Sequence, residues 1–202
     1  MYRLTEAVKH LLIINGLVFL GVNTFFTDQE SISKFALFYP ESPLFRPWQL
    51  VTHMFMHGSV SHLMFNMLSL FFIGPLMENV LGMRRFLIFY FVSGLGGAVL
   101  HFAFQYYQFH FAGIDSVMYT PAVGASGAIN GLFIGLAYLF PDLEMFLMFI
   151  PIPIKARYLA LGLLAYDFLS GISGMASGIA HFAHLGGALF GFLLLLRWTR
   201  RI

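Results

Sequence analysis

Six long apolar stretches occupy most of this 202-residue chain and constrain its fold more than any other feature. Their approximate bounds are residues 8–26, 59–79, 86–107, 125–140, 157–172 and 180–197. Most approach the ~20 residues that an α-helix needs to cross a bilayer. Because 59% of the residues are hydrophobic and 10% are charged, a soluble domain of this length could not bury its apolar surface. The sequence predicts an all-α, polytopic membrane protein with six transmembrane helices, forming one domain over residues 1–202.

The lysines and arginines predict the orientation of the six spans. Two of the 11 basic residues, Lys34 and Arg46, lie on one side of the predicted membrane spans. The others lie on the opposite side, at Arg3, Lys9, Arg84, Arg85, Lys155, Arg157, Arg197, Arg200 and Arg201. The positive-inside rule therefore predicts that both termini are cytoplasmic. The connection 27–51, rich in Pro, Phe and Trp, is expected to lie in the outer interface. With no transit peptide recognisable, we expect a bacterial plasma membrane.

Ser126 and His184 point most directly to a chemical activity. Ser126 stands in Gly124-Ala125-Ser126-Gly127 near the outer end of the fourth span, and His184 near the outer end of the sixth. At 1.5 Å per residue both lie about 20 Å above the inner ends of their helices, which predicts one common level. A hydroxyl beside an imidazole suits nucleophilic peptide cleavage. The absence of cysteine excludes a thiol nucleophile.

Glycine spacing predicts that these two helices touch. Glycines recur every four residues on both of them, at Gly127, Gly131 and Gly135 and at Gly187 and Gly191. Small residues let helix backbones approach closely in lipid. Gly124 and Gly127 also leave the Ser126 hydroxyl open to an approaching peptide. Since the fourth span is short, its first turn should line a water-filled pocket that opens to the extracytoplasmic side.

His62 and Asn66 predict a site for a tetrahedral oxyanion. They lie four residues apart on one helix face, and at the level of Ser126. Together with the Ser126 backbone N–H, their side chains could donate hydrogen bonds to the oxyanion. His184 is expected to take the serine proton and return it to the leaving amine. No acid lies near either residue in sequence, so we predict a Ser–His dyad.

The remaining histidines and one acidic residue within a span allow other interpretations of the sequence. His53 and His57, together with His62, could form a metal or haem site. No His-Glu-x-x-His pattern is present, so zinc hydrolysis lacks its usual base, and we predict no metal and no cofactor. Asp167, deep in the fifth span, could pair within the bundle and receives no catalytic role. His181 is interpreted as interfacial or structural.

The motifs as a set resemble those of a known family. Residues 52–66, with His53, His57, His62 and Asn66, are similar to the second-span signature of rhomboid intramembrane serine proteases. The segment 124–127 resembles the family's nucleophile motif, and Ala183-His184 with the glycines that follow resembles its histidine motif. The resemblance covers about Trp48 to Arg197. It implies a six-transmembrane-helix rhomboid-like bundle of the minimal bacterial type.

The resemblance also implies roles and partners. Ser126 would be the nucleophile, His184 the general base, and His62 and Asn66 part of the oxyanion hole. The substrates would be single-span membrane proteins, cut near small residues after local unwinding, without a metal or cofactor. The expected partners are transmembrane-helix substrates and membrane lipid, not nucleic acid. Substrate would enter beside the fifth span, under a mobile cap at residues 171–180.

Two positions depart from the family pattern, and two other functions stay open. Many members have Trp-Arg where this chain has Trp48-Gln49, which leaves open how the first loop is anchored. An aromatic residue often stacks on the histidine where this chain has Asn130, which could hydrogen-bond the ring of His184 instead. The alternative functions are a non-catalytic relative that binds membrane helices, and a transporter or metal-binding protein built around the histidines.

Overall fold

The protein is a bundle of long helices. The computed structural model describes residues 4–146, 152–173 and 180–199. A helix lies at each of the six predicted apolar stretches: α1 (Glu6–Phe25), α4 (Val60–Leu81), α5 (Met83–His110), α6 (Ser126–Leu139), α7 (Ala156–Ser173) and α8 (His181–Thr199). Two short helices, α2 (Asp28–Phe35) and α3 (Gln49–Thr52), lie between α1 and α4. The all-α class is confirmed.

Lipid is the solvent that this bundle requires. Within the described residues, α1, α4, α5 and α8 are long and apolar enough to cross a membrane. The apolar helix α6 has only 14 residues, and α7 carries Arg157 and Asp167, which lower its mean hydropathy. Large apolar side chains remain on the outside, among them Leu17, Leu20 and Phe25 on α1. A polytopic membrane protein is therefore confirmed, while the count of six spans stays a prediction.

Helices α5, α6 and α8 pack closely because glycines face one another. A β-carbon on Gly187 of α8 would overlap the backbone of Gly127 of α6. One on Gly191 would lie 3.2 Å from the Gly131 Cα atom. The predicted contact between α6 and α8 is present. The sequence did not predict that α5 also packs against α8. A β-carbon on Gly97 of α5 would lie 2.6 Å from the Ala183 carbonyl oxygen of α8.

Helices α1 and α4 are joined by a buried carboxylate. The two oxygens of Glu78 accept hydrogen bonds from the Ala7 and Val8 backbone N–H groups, each at 3.0 Å. These N–H groups belong to the first turn of α1, where no intrahelical acceptor exists and negative charge is favoured. Glu78 is therefore a second acid inside a long helix, in addition to Asp167.

The connection predicted as an interfacial loop contains regular structure. Thr27 and Glu30 form a reciprocal capping box that starts α2. The side chain of Gln49 is fully buried, and its amide donates to the Ser33 and Leu44 carbonyl oxygens at 3.1 and 3.0 Å. Its oxygen accepts from the Arg46 N–H at 3.0 Å. Gln49 therefore anchors this loop.

Two short paired strands lie between α6 and α7. Strands β1 (Glu144–Phe146) and β2 (Pro153–Lys155) pair in an antiparallel manner, with Glu144 opposite Lys155. Asp142, just before β1, binds Lys155 at 3.0 Å and Arg157 at 3.2 Å. These exposed ion pairs lie at the end of α6 that is remote from Ser126.

Candidate active site

Ser126 is the first residue of α6, so the chain turns into a helix at the hydroxyl itself. The segment before it is held by a hydrogen bond of 2.9 Å from the Gly124 N–H to the His53 carbonyl oxygen. Gly124 has a φ of 125°, a conformation that favours glycine. The N–H groups in the first turn of α6 have no intrahelical acceptor, and this end of the helix dipole favours negative charge.

His184 meets Ser126 across the contact between α6 and α8. Its Nε2 atom lies 2.8 Å from the Ser126 Oγ atom, a hydrogen-bond distance. The side chain of His184 is 16% exposed, so the pair is shielded but not sealed. The structure thus brings together the two residues that the sequence singled out. The close approach of Gly127 and Gly187 is what makes the distance possible.

Asp167 of α7 lies directly behind the imidazole. Its Oδ1 atom is 2.9 Å from the His184 Nδ1 atom and 2.7 Å from the His181 Nδ1 atom. The carboxylate and His181 are both buried. No acid lies near Ser126 or His184 in sequence, but Asp167, 17 residues from His184, is hydrogen-bonded to it in the structure. His181 is a buried partner of the same carboxylate and is not exposed at an interface.

Asn130 does not hold the imidazole. Its Nδ2 atom donates to the Ser126 carbonyl oxygen of its own helix at 3.0 Å. Within the residues that the structure describes, the predicted hydrogen bond from Asn130 to the ring of His184 is not present. Asp167 makes the contact that orients the ring instead.

His62 lies on the other side of the serine, on α4. A β-carbon on Gly124 would be 2.8 Å from the His62 Nε2 atom and 3.5 Å from the Ser126 Oγ atom. The His62 Nδ1 atom accepts a long hydrogen bond of 3.4 Å from the Gly58 N–H, which leaves the proton of the neutral ring on Nε2. That proton lies on the side of Ser126. The Asn66 amide donates to the His62 carbonyl oxygen at 2.9 Å and has a second proton to donate.

A small cavity adjoins the hydroxyl. Its volume is about 20 Å³, which is enough for about one water molecule. Its walls are mostly small or apolar: Leu37, His53, Gly94, Ala98, Ala122, Val123, Gly124, Ser126, Gly127, Ala180 and Ala183. Burial lowers the pKa of His53 to about 4, so its ring is neutral at physiological pH. Ser126 therefore faces space that can hold water or a small side chain.

The three histidines that predicted a possible metal site, His53, His57 and His62, make other contacts in the structure. His57 contacts His62 through their rings, with centroids 5.1 Å apart, while His53 donates from Nδ1 to the Gln49 carbonyl oxygen. In the described part of the chain, the three groups whose potential ligand atoms lie within 4.8 Å of one another are Asp167, His181 and His184. The predicted cap at 171–180 lies mainly outside the described residues, since 174–179 are not among them.

Comparison with known proteins finds one family. The family model described as the rhomboid domain matches residues 45–201. Rhomboid protease AarA of Providencia stuartii is 34% identical over 160 residues, which cover 73% of this chain and 54% of AarA. Putative rhomboid protease YdcA of Bacillus subtilis (strain 168) is 37% identical over 147 residues, covering 73% of this chain and 65% of YdcA.

A third relative aligns over nearly the whole chain. RHOMBOID-like protein 12, mitochondrial, of Arabidopsis thaliana is 29% identical over 201 residues, or 96% of this chain and 58% of that protein. The chain spans about half the length of the curated relatives that it matches, with 54% for AarA. The shared part contains Ser126, His184 and the residues around them.

Proposed function

This chain belongs to the rhomboid family, and on that premise we propose that it is an intramembrane serine endopeptidase. The observation that carries the proposal is the hydrogen bond of 2.8 Å between the Ser126 Oγ atom and the His184 Nε2 atom at the start of α6. A helix start offers unpaired N–H groups at the point where an oxyanion would form. Relatives that are named rhomboid proteases support the reaction class.

The reaction proceeds by acyl transfer to Ser126. As the Oγ atom bonds to the peptide carbonyl carbon, its proton passes to the His184 Nε2 atom and the carbonyl electron pair moves to oxygen. The Ser126 N–H and the His62 Nε2–H donate to that oxyanion, with Asn66 beside them. The proton then passes to the leaving nitrogen as the C–N bond breaks. Water, activated by the same imidazole, hydrolyses the acyl-enzyme.

The substrates are transmembrane helices of other membrane proteins, and the enzyme acts in lipid. The wall beside Ser126 consists largely of glycine and alanine, which favours small side chains at the cleavage site. Both termini lie in the cytoplasm and the site opens to the extracytoplasmic side of the plasma membrane, as the distribution of lysine and arginine favours. The whole chain, residues 1–202, acts as one six-span unit.

A cleavage assay tests the activity. The purified chain is placed in liposomes with a fluorescent single-span substrate, and wild type is compared with Ser126→Ala and with the control Ser116→Ala, an exposed serine. Ser126→Ala is expected to lose at least about 10³-fold in kcat, while Ser116→Ala keeps wild-type activity. Equal cleavage by all three would end the assignment of Ser126. Substrate capture without cleavage by wild type would favour the non-catalytic alternative.

The orientation has its own test, because the natural chain has no cysteine. Single cysteines replace Ser116, before α6, or Glu144, after it; both residues are exposed. A membrane-impermeant maleimide applied to intact cells is expected to label the Ser116→Cys protein and not the Glu144→Cys protein. The reverse pattern would contradict the proposed direction.

A further inference from the structure

The hydrogen bonds around His184 continue beyond the imidazole. The Ser126 Oγ, the His184 ring and the Asp167 Oδ1 form one chain, with links of 2.8 and 2.9 Å. A carboxylate oxygen can only accept, so the proton on this side of His184 resides on Nδ1. The Nε2 atom then carries the free electron pair that faces the serine.

We propose that Asp167 is a positioning residue for the reaction, so that Ser126, His184 and Asp167 work as three residues and not as a pair. The proposal rests on the proposed function, because the reaction that Asp167 assists is the one assigned to Ser126 and His184. Asp167 acts through His184 and touches neither the serine nor the substrate. His181 in turn holds Asp167, since its Nδ1 atom lies 2.7 Å from the same carboxylate oxygen.

The Asp167 carboxylate has two effects on the His184 imidazole that would assist the reaction. It keeps the ring in the tautomer that can accept the serine proton, whereas a neutral imidazole in water favours the proton on Nε2. It also lies against the imidazolium that forms when the proton arrives, and opposite charges attract strongly in a site shielded from water. The Asp167 side chain is 5% exposed, so water competes little with His184.

A purely structural role for Asp167 explains less of this arrangement. A buried carboxylate is costly unless it is hydrogen-bonded, and the side chain of His181 alone already supplies one short bond. The second bond goes to the imidazole that faces Ser126. His184 thus has a partner at each ring nitrogen, and its orientation is determined from both sides.

A metal ion is the other use that such a cluster could have. Ligands bound at 2.0–2.1 Å to a tetrahedral zinc lie about 3.3 Å from one another. The distances from the Asp167 oxygen to the two Nδ1 atoms, 2.7 and 2.9 Å, are instead those of direct hydrogen bonds. Stoichiometric zinc in purified wild type, lost together with activity in a chelator, would overturn the proposal in favour of a metal centre.

The central experiment is the variant Asp167→Asn in the full chain, assayed in liposomes across pH. We expect kcat to fall by about 10²- to 10⁴-fold, with KM within about twofold of wild type. The acidic limb of kcat/KM should move to lower pH, because the charge that stabilises the imidazolium is gone. The other titratable groups near His184 are His181 on its own helix, His62 on α4 and His101 on α5.

The control variant is Ser170→Ala, a change at another buried polar residue of α7. It should keep the wild-type kcat and pH profile. If wild type cleaves and Asp167→Asn matches it in kcat and pH profile, the inference about Asp167 is wrong while the proposed function stands. If wild type itself does not cleave, the proposed function fails first.

A measurement on wild type covers the case in which Asp167→Asn does not fold. In ¹⁵N-histidine-labelled protein above pH 8, the His184 signals, identified by their loss in His184→Ala, should show a protonated Nδ1 and a bare Nε2. A neutral His184 with the proton on Nε2 would overturn the role of Asp167 without any variant of that residue.

Discussion

Gly187 of α8 lies directly against the backbone of Gly127 of α6, next to the point where Ser126 meets His184. Helix α8 cannot carry a side chain at Gly187 without moving away from α6, because a β-carbon there would overlap the Gly127 backbone. The distance between the hydroxyl and the imidazole therefore depends on two residues that have no functional groups of their own. Small residues at helix contacts in lipid are usually explained by stability, whereas here they also determine the distance between the Ser126 hydroxyl and the His184 imidazole.

Gly187→Ala is accordingly expected to reduce cleavage at least about 10²-fold, because displacement of helices by 1 Å is enough to misalign reacting groups. The cleavage rate in liposomes and the thermal unfolding midpoint in detergent measure the two consequences. Gly162→Ala on α7 is the matched control, since a β-carbon there would meet no atom within 4 Å. Wild-type activity in Gly187→Ala would show that the contact does not control the site.

Gly124→Ala should lower kcat with little loss of fold. The new β-carbon would lie 2.8 Å from the His62 Nε2 atom, in the space where the oxyanion is expected. Gly113→Ala is an informative control, because Gly113 also has a positive φ, of 66°, but no neighbour within 4 Å. Because a φ of 125° strains alanine more than a φ of 66° does, the thermal unfolding midpoint is measured for both variants. A lower kcat in Gly124→Ala at an unchanged midpoint would identify the steric effect, and a wild-type kcat would contradict it.

His62→Ala and Asn66→Ala are expected to weaken cleavage to different degrees. The loss should be about 10²-fold in kcat for His62, and about 10-fold or more for Asn66, whose amide already donates to its own helix. KM should change little, since the oxyanion forms only in the transition state. Asn79→Ala, exposed near the end of α4, is the control. A larger effect on KM than on kcat would point to substrate binding and not to oxyanion stabilisation.

Gln49→Leu should destabilise the loop between α1 and α4. The substitution leaves the Ser33 and Leu44 carbonyl groups and the Arg46 N–H without their side-chain partner. We expect a loss of roughly 2–4 kcal/mol in the free energy of unfolding, measured in mixed micelles. Gln29→Leu, at an exposed position of α2, should change it by less than about 0.5 kcal/mol. Equal stability of the two variants would contradict the anchoring role.

The helices, the serine and the histidine could be predicted because their signals are local. Long apolar stretches indicate helices in lipid by themselves, and the predicted stretch 125–140 differs from α6 by one residue at each end. The glycines at every fourth position of α6 and α8 indicate which faces touch. Ser126 and His184 stand out since polar groups are rarely placed in hydrocarbon without a use.

The contact between Asp167 and His184 could not be predicted from distance along the sequence, because 17 residues separate them. Asp167 lies about 9 Å from the C-terminal end of α7 at 1.5 Å per residue, and His184 lies about 4.5 Å from the start of α8. Two antiparallel helices joined by a short connection place residues near the end of the first and the start of the second at similar depths in the membrane. A comparison of depths, as used for Ser126, would have identified the pair.

Other features depend on packing that no single segment reveals. The amide of Asn130 bonds to its own helix, four residues back, which is a common alternative to any tertiary partner. Gln49 resembles a surface residue by type, and its burial follows from the chain that folds around it. The carbonyl groups that it satisfies lie up to 16 residues away.

Covalent labelling of the intact protein tests the central claim most directly. An activated serine should react with a fluorophosphonate probe, and peptide mass spectrometry should locate the label on Ser126. The account predicts labelling of wild type at Ser126 and its loss in His184→Ala. A label on another residue, or equal labelling of Ser126 when His184 is absent, would contradict it.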